Sequence, residues 1–270
     1  PKTGWVLSAE TKGSGGTSSN GSIIVGLPAK QWRKPRIVPK IVTTIPVKHE
    51  KFFGRHTQIL EHNKKVKPEI VIFGDSITHA WGGMPRSMWN KGPDSWKFLF
   101  GDRVVTNMGE CGDQTQNVLW RIQNGAFDGI SPKLVIVWIG TNNLTRKNTA
   151  REIYWGIQAI TDEVHKRLPN AKILLLGMSP RGNDRYGVDY SEGPISPERV
   201  NNLTSTLNDR KYVTFFNANY ALLDKDGNLQ PKLQPDKLHF SKEAYMLFAK
   251  AIKPTVDTLL GIAPKPEPKK

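Results

Sequence analysis

Residues 68–78 read Pro-Glu-Ile-Val-Ile-Phe-Gly-Asp-Ser-Ile-Thr, and this stretch constrains the fold more than any other. Four strand-forming residues, Ile70 to Phe73, stop at Gly74, and a serine follows two positions later. A buried apolar strand that ends at a glycine and hands the chain to a helix places the next side chains at the carboxyl edge of a sheet. In open α/β sheets that edge is where ligands bind. Ser76 is therefore the candidate nucleophile, and the other polar residues are judged by whether they can serve it.

The same grammar recurs along the chain. Val104–Asn107, Leu134–Ile139, Ile173–Leu176 and Tyr212–Phe216 read as further strands, the third an almost unbroken apolar run of the kind covered on both faces. Helical spacing appears at 52–60, closed by Pro68, then at about 114–124, 153–168 and 200–207, and in a terminal helix through 247–259 that contains Pro254. Five alternations of strand and helix predict βαβ units and a five-stranded parallel sheet with helices on both faces, an α/β fold.

Every strand exit carries polar or glycine residues. Gly74-Asp75-Ser76 follows the first strand, Asn107 to Asp113 the second, and Gly140-Thr141-Asn142-Asn143 the third, while Asp236-Lys237-Leu238-His239 precedes the last helix. A parallel sheet gathers these loops at one edge, and each residue type has a use in acyl transfer. A serine hydroxyl needs a base within reach, which His239 can supply. Asp236, three residues earlier, can hold the imidazole tautomer. An oxyanion needs donors, which the backbone N–H groups of Ser76 and Gly112 and the amide of Asn142 offer. Three further residues are candidates for substrate contact: His79, one turn after Ser76; Trp81, as a wall on which a sugar ring could stack; and Arg181, after the fourth strand. The bland readings are a surface helix position for His79, core packing for Trp81 and a loop-holding ion pair for Arg181. Cys111 is a poor rival nucleophile, because Glu110 and Asp113 beside it raise a thiol pKa.

These blocks, with Gly112-Asp113-Gln114-Thr115, Val118-Leu119-Trp120-Arg121, Trp138 to Asn143 and Pro180-Arg181-Gly182, resemble the SGNH (GDSL-type) hydrolases, and within them the branch of the platelet-activating-factor acetylhydrolase catalytic subunits. The similarity covers roughly residues 68 to 260. It implies a flavodoxin-like three-layer α/β/α sandwich and metal-free ester hydrolysis with no cofactor. It also implies a nucleophile at Ser76, oxyanion donors at Gly112 and Asn142, and an Asp/His pair at Asp236 and His239. Ile77 replaces the leucine of the family nickname, a conservative change. Glu110-Cys111 stand where small or apolar residues are expected.

The expected layout is a basic extension over 1–50, a hydrolase domain over 51–262 and a Lys/Pro-rich tail over 263–270. Prolines at 28, 35, 39 and 46 confine the apolar runs at 23–47 to edge strands or an extended wrap. The net charge of +15 over 270 residues suits an acidic surface such as an anionic polysaccharide. No zinc-finger, RNA-recognition or basic-zipper pattern accompanies it, so no nucleic-acid partner is expected. No apolar run reaches eighteen residues, so no transmembrane segment is expected. One cysteine rules out an internal disulfide framework. It leaves the compartment open, with a secreted or periplasmic location preferred; a homodimer is also left open. The function expected is a serine esterase that removes short, acetyl-sized groups from a carbohydrate. The alternatives are a lipid-directed acetylhydrolase or lysophospholipase and a non-catalytic binding module.

Overall fold

The computed structural model describes residues 41–87, 89–182, 196–209 and 211–262, apart from the side chains of Phe52 and Phe53. Residues 1–40 of the expected extension, with their apolar runs, and the tail 263–270 lie outside the described residues. Five parallel strands form one sheet: β1 (Ile70–Gly74), β2 (Val105–Asn107), β3 (Leu134–Trp138), β4 (Lys172–Leu176) and β5 (Val213–Phe216), in the order β2-β1-β3-β4-β5. This order reverses direction between β1 and β3, and a crevice opens at the carboxyl ends of the two strands on either side of such a reversal.

Eight α-helices lie among the described residues: α1 (Phe53–Lys65), α2 (Ser76–Trp81), α3 (Pro93–Phe100), α4 (Thr115–Gln123), α5 (Thr141–Thr145), α6 (Ala150–Arg167), α7 (Pro197–Thr204) and α8 (Lys242–Leu259). Strand side chains alternate between two cores. Val71, Phe73, Val135, Val137, Ile173 and Leu175 pack with Ile59 of α1, Val118 and Ile122 of α4, Ile153 and Ile160 of α6, and Val200 of α7. Ile70, Ile72, Leu134, Ile136, Leu174 and Leu176 face Trp96 and Leu99 of α3 and Tyr245, Phe248 and Ile252 of α8. Both faces are thus covered, which explains why β1 and β3 are apolar throughout and buried at every position.

The sequence pattern does not mark α2, α3 and α5 as separate helices of their own length. They are short, and α3 starts from Gly92 and Pro93, a turn-like pair that also fits the first helical position. Residues 41–47, the described part of the stretch read as edge strand or wrap, pair with no strand. Val42–Thr44 make a 3-10 turn instead, with Thr43 buried. From there a strap runs over the helical layer: Thr43 Oγ1 donates to the Glu152 carbonyl at 2.7 Å, and Val47 N–H donates to the Gln116 carbonyl at 3.1 Å. Pro46 has no N–H to give to a ladder, so local side-chain and backbone bonds take the place of strand pairing. No helix among the described residues is long and apolar enough to cross a membrane.

Candidate active site

Gly74 is the hinge of the site. A Cβ there would stand 2.0 Å from Thr78 Oγ1 and 2.7 Å from the Trp138 carbonyl, so only glycine lets α2 start this close to β3. Asp75 caps α2, its Oδ1 accepting from Ile77 N–H at 2.9 Å. Ser76 is the first residue of the helix and remains partly exposed. Two buried side chains hold the helix in place. Tyr245 Oη–H donates to the Ile77 carbonyl at 2.6 Å, and Asn107 Nδ2 donates to the Thr78 and Gly82 carbonyls at 2.8 and 2.7 Å.

Across the crevice, Ser76 Oγ lies 2.9 Å from His239 Nε2, and His239 Nδ1 lies 2.6 Å from Asp236 Oδ2. A carboxylate can only accept, so Nδ1 carries the proton, Nε2 is left as acceptor, and the serine hydroxyl donates to it. Partial burial pushes the Asp236 carboxyl up, but hydrogen bonds from the His239 ring and backbone outweigh it, and the group titrates below its usual range. Asp236 Oδ1 also accepts from His239 N–H at 2.6 Å and from Leu238 N–H at 3.1 Å, which pins the loop carrying the imidazole.

The second loop is tied to the end of β1, with Glu110 N–H donating to the Gly74 carbonyl at 3.0 Å. Asp113 N–H then donates to the Glu110 carbonyl at 3.2 Å, closing a four-residue turn in which Gly112 has φ +80°. A positive φ at the third position of a turn favours glycine. Asn142, from α5, donates through Nδ2 to the Asp113 carbonyl at 2.9 Å. The amide has two N–H bonds, so a second remains for another acceptor. Ser76, His239, Asp236, Gly112 and Asn142 thus meet at one sheet edge.

The three candidate substrate contacts sit differently. Trp81 is fully buried, stacked on Tyr245 with its Nε1–H donating to Ser95 Oγ at 2.8 Å, so it is core and walls no site. Arg181 is buried too, and its Nη1 donates to the Thr141 carbonyl and to the Thr141 and Thr145 hydroxyls at 2.9, 3.0 and 3.0 Å. Through Nη1 it braces α5, the helix that carries Asn142. His79 is a buried residue, not a surface one, with its ring edge-on to Trp89; burial first, then Arg55 and Arg121, lower its pKa to about 4.

The unexpected Glu110-Cys111 pair finds a physical setting. Glu110 supplies backbone bonds on both sides of the turn, while burial raises its carboxyl to about 8. At neutral pH it is mostly protonated, which spares the cost of a buried charge. Burial, reinforced by Glu110 and Asp75, pushes the Cys111 thiol up to about 12 and leaves it a poor nucleophile. Sequence reading missed Asn107 and Tyr245 as residues that hold this site. An asparagine closing an apolar strand was a signal for the first, but nothing in the sequence marks the second.

Residues 72–247 match the GDSL-like Lipase/Acylhydrolase family. The chain is 32% identical over 227 residues to the platelet-activating factor acetylhydrolase IB subunit alpha1 of Bos taurus, covering 81% of this chain and 90% of that one. Against the alpha2 subunit of Homo sapiens the identity is 28%, over 80% and 88% of the two chains. Among solved structures, a GDSL-like lipase from Bacteroides thetaiotaomicron superposes with TM-score 0.61 at 18% identity over 76% of this chain and 98% of that one. A carbohydrate acetylesterase from Sinorhizobium meliloti gives TM-score 0.56 at 20% identity over 72% and 100%. These two share the three-layer fold. With the family match covering most of its length, the chain belongs to the GDSL-like lipase/acylhydrolase family and is a carboxylic ester hydrolase.

Proposed function

We propose that the chain removes short acyl groups, acetyl above all, from a carbohydrate, through an acyl-enzyme on Ser76. The observation that carries the chemistry is the hydrogen-bonded series Ser76 Oγ, His239, Asp236, at 2.9 and 2.6 Å. In this reading Nε2 takes the serine proton as Oγ attacks the ester carbonyl. The carbonyl oxygen becomes an oxyanion, met by the N–H groups of Ser76 and Gly112 and the second N–H of Asn142. Collapse expels the alcohol, protonated by the imidazolium, and leaves an acyl-serine. Water, deprotonated by the same nitrogen, then releases the acid and restores the hydroxyl. Asp236 fixes the tautomer and stabilises the imidazolium without taking the proton.

Charge supports the substrate class. The net charge of +15 favours an acidic acetylated polysaccharide over a neutral one. A second reading, acetyl removal from a lipid, is favoured by the names of the acetylhydrolase relatives. Acetate release, measured by mass spectrometry on acetylated polysaccharides and on platelet-activating factor side by side, separates the two. Faster turnover of the lipid would displace the carbohydrate reading. Faster cleavage of p-nitrophenyl octanoate than of p-nitrophenyl acetate would displace both.

A further inference from the structure

We propose that His49, at the end of the strap preceding α1, is a positioning residue for one oxyanion donor, Asn142, acting through Asp113. The inference rests on the reading above that Asn142 donates to the oxyanion.

Asp113 does two separate things. Its carboxylate is wholly buried and takes one donor from α4, Arg121 Nη2 at 2.5 Å, and one from the strap, His49 Nδ1 at 3.0 Å. Its backbone holds both proposed side donors: its N–H closes the turn that carries Gly112, and its carbonyl receives Asn142 Nδ2. The side-chain grip therefore sets where the backbone sits, and with it where the second N–H of Asn142 points.

Arg121 gives Asp113 one donor, Nη2, and is itself anchored by Nη1, which donates to the Met108 carbonyl at 2.6 Å. A buried carboxylate that loses one donor has to shift or admit water, since an unsatisfied charged oxygen is costly. The strap is in turn a firm base. Thr115 Oγ1 donates to the Thr43 carbonyl at 3.0 Å, Asn117 Nδ2 donates to the Val47 carbonyl at 2.9 Å, and two further bonds reach Glu152 and Gln116. A short segment that the sequence assigns to the extension thus reaches the active-site loop through one imidazole. Small displacements of catalytic donors cost much more in turnover than in binding.

The test is a double-mutant cycle between His49 and Asn142, read as kcat and KM on p-nitrophenyl acetate, with the thermal midpoint measured alongside. His49→Leu keeps bulk and removes the donor; it should lower kcat roughly tenfold or more and leave KM within about twofold. His49→Asn, whose amide N–H falls near the place of Nδ1, should recover most of the loss. In the Asn142→Ala background, His49→Leu should cost nothing further, because the residue it positions is gone. His49→Phe, which keeps a ring and also lacks a donor, replaces His49→Leu in the cycle should the latter fail to fold. An unchanged kcat in the His49 variant, or the same loss persisting beside Asn142→Ala, overturns the inference alone. Full activity of Asn142→Ala itself overturns the oxyanion reading and the inference built on it.

Discussion

Ser76 sits at the first position of a helix whose cap, Asp75, and whose two braces, Asn107 and Tyr245, are all buried. The hydroxyl is therefore held rigidly against the His239 ring, while the histidine and Asp236 stay partly exposed on their loop. Replacing Ser76 by Ala removes one small polar atom from a partly exposed position, so the fold should survive. Hydrolysis of p-nitrophenyl acetate should fall by about a thousandfold or more. Retained activity with an unaltered circular dichroism spectrum would move the nucleophile elsewhere. Asp236→Asn should lower kcat strongly with little change in KM, because the amide can present N–H to Nδ1 and so favour the wrong tautomer. Stopped-flow detection of an acyl-enzyme burst in the parent chain, absent in both variants, is the direct check.

At the scale of elements, the site depends on two short helices, α2 and α5, that begin just after strand ends. The shorter, α5, has only five residues and cannot be stable by itself, since isolated helices below about 12–15 residues are marginal. Arg181 supplies what it lacks by bonding to both its ends. Arg181→Met, which keeps the aliphatic stem, should loosen α5 and cost roughly tenfold in kcat with a smaller change in KM. A large rise in KM at constant kcat would instead make Arg181 a substrate contact. The wrap at 41–47 belongs to this scale too: it resembles a strand in composition, but Pro46 and the helical layer it runs over leave it no ladder to join.

For the whole molecule, charge sets two expectations. The buried cluster beneath the second loop contains a carboxyl, Glu110, raised to about 8. An acid whose folded pKa lies above its unfolded value stabilises the fold fully below the unfolded pKa and loses that stabilisation as pH rises through the folded one. Stability should thus decline between about pH 4.5 and 8 through this group. Glu110→Gln should flatten that part of the profile, a difference on the order of a few kcal/mol in urea unfolding. Parallel profiles for the two chains would show that Glu110 is not the cause. The second expectation concerns the +15 net charge: added salt should raise KM for an anionic acetylated polysaccharide and leave p-nitrophenyl acetate untouched. Equal salt sensitivity of both substrates would remove the steering argument.

The alternation of apolar strands with helical spacing determined the parallel sheet, because a strand buried on both faces must be apolar at every position and its period is visible in one dimension. Glycine, serine, asparagine and histidine at the strand exits were readable for the same reason: their local order fixes which edge they reach. What the tertiary structure decided was direction and burial. Trp81 and Arg181 look available for substrate in the sequence, but α8 closes over the first and burial turns Nη1 of the second toward α5. Nothing local to His49 reports the carboxylate of Asp113, 64 positions away along the chain. Such pairings exist only once helices have packed, since packing, not composition, sets which buried charge must be answered and by whom.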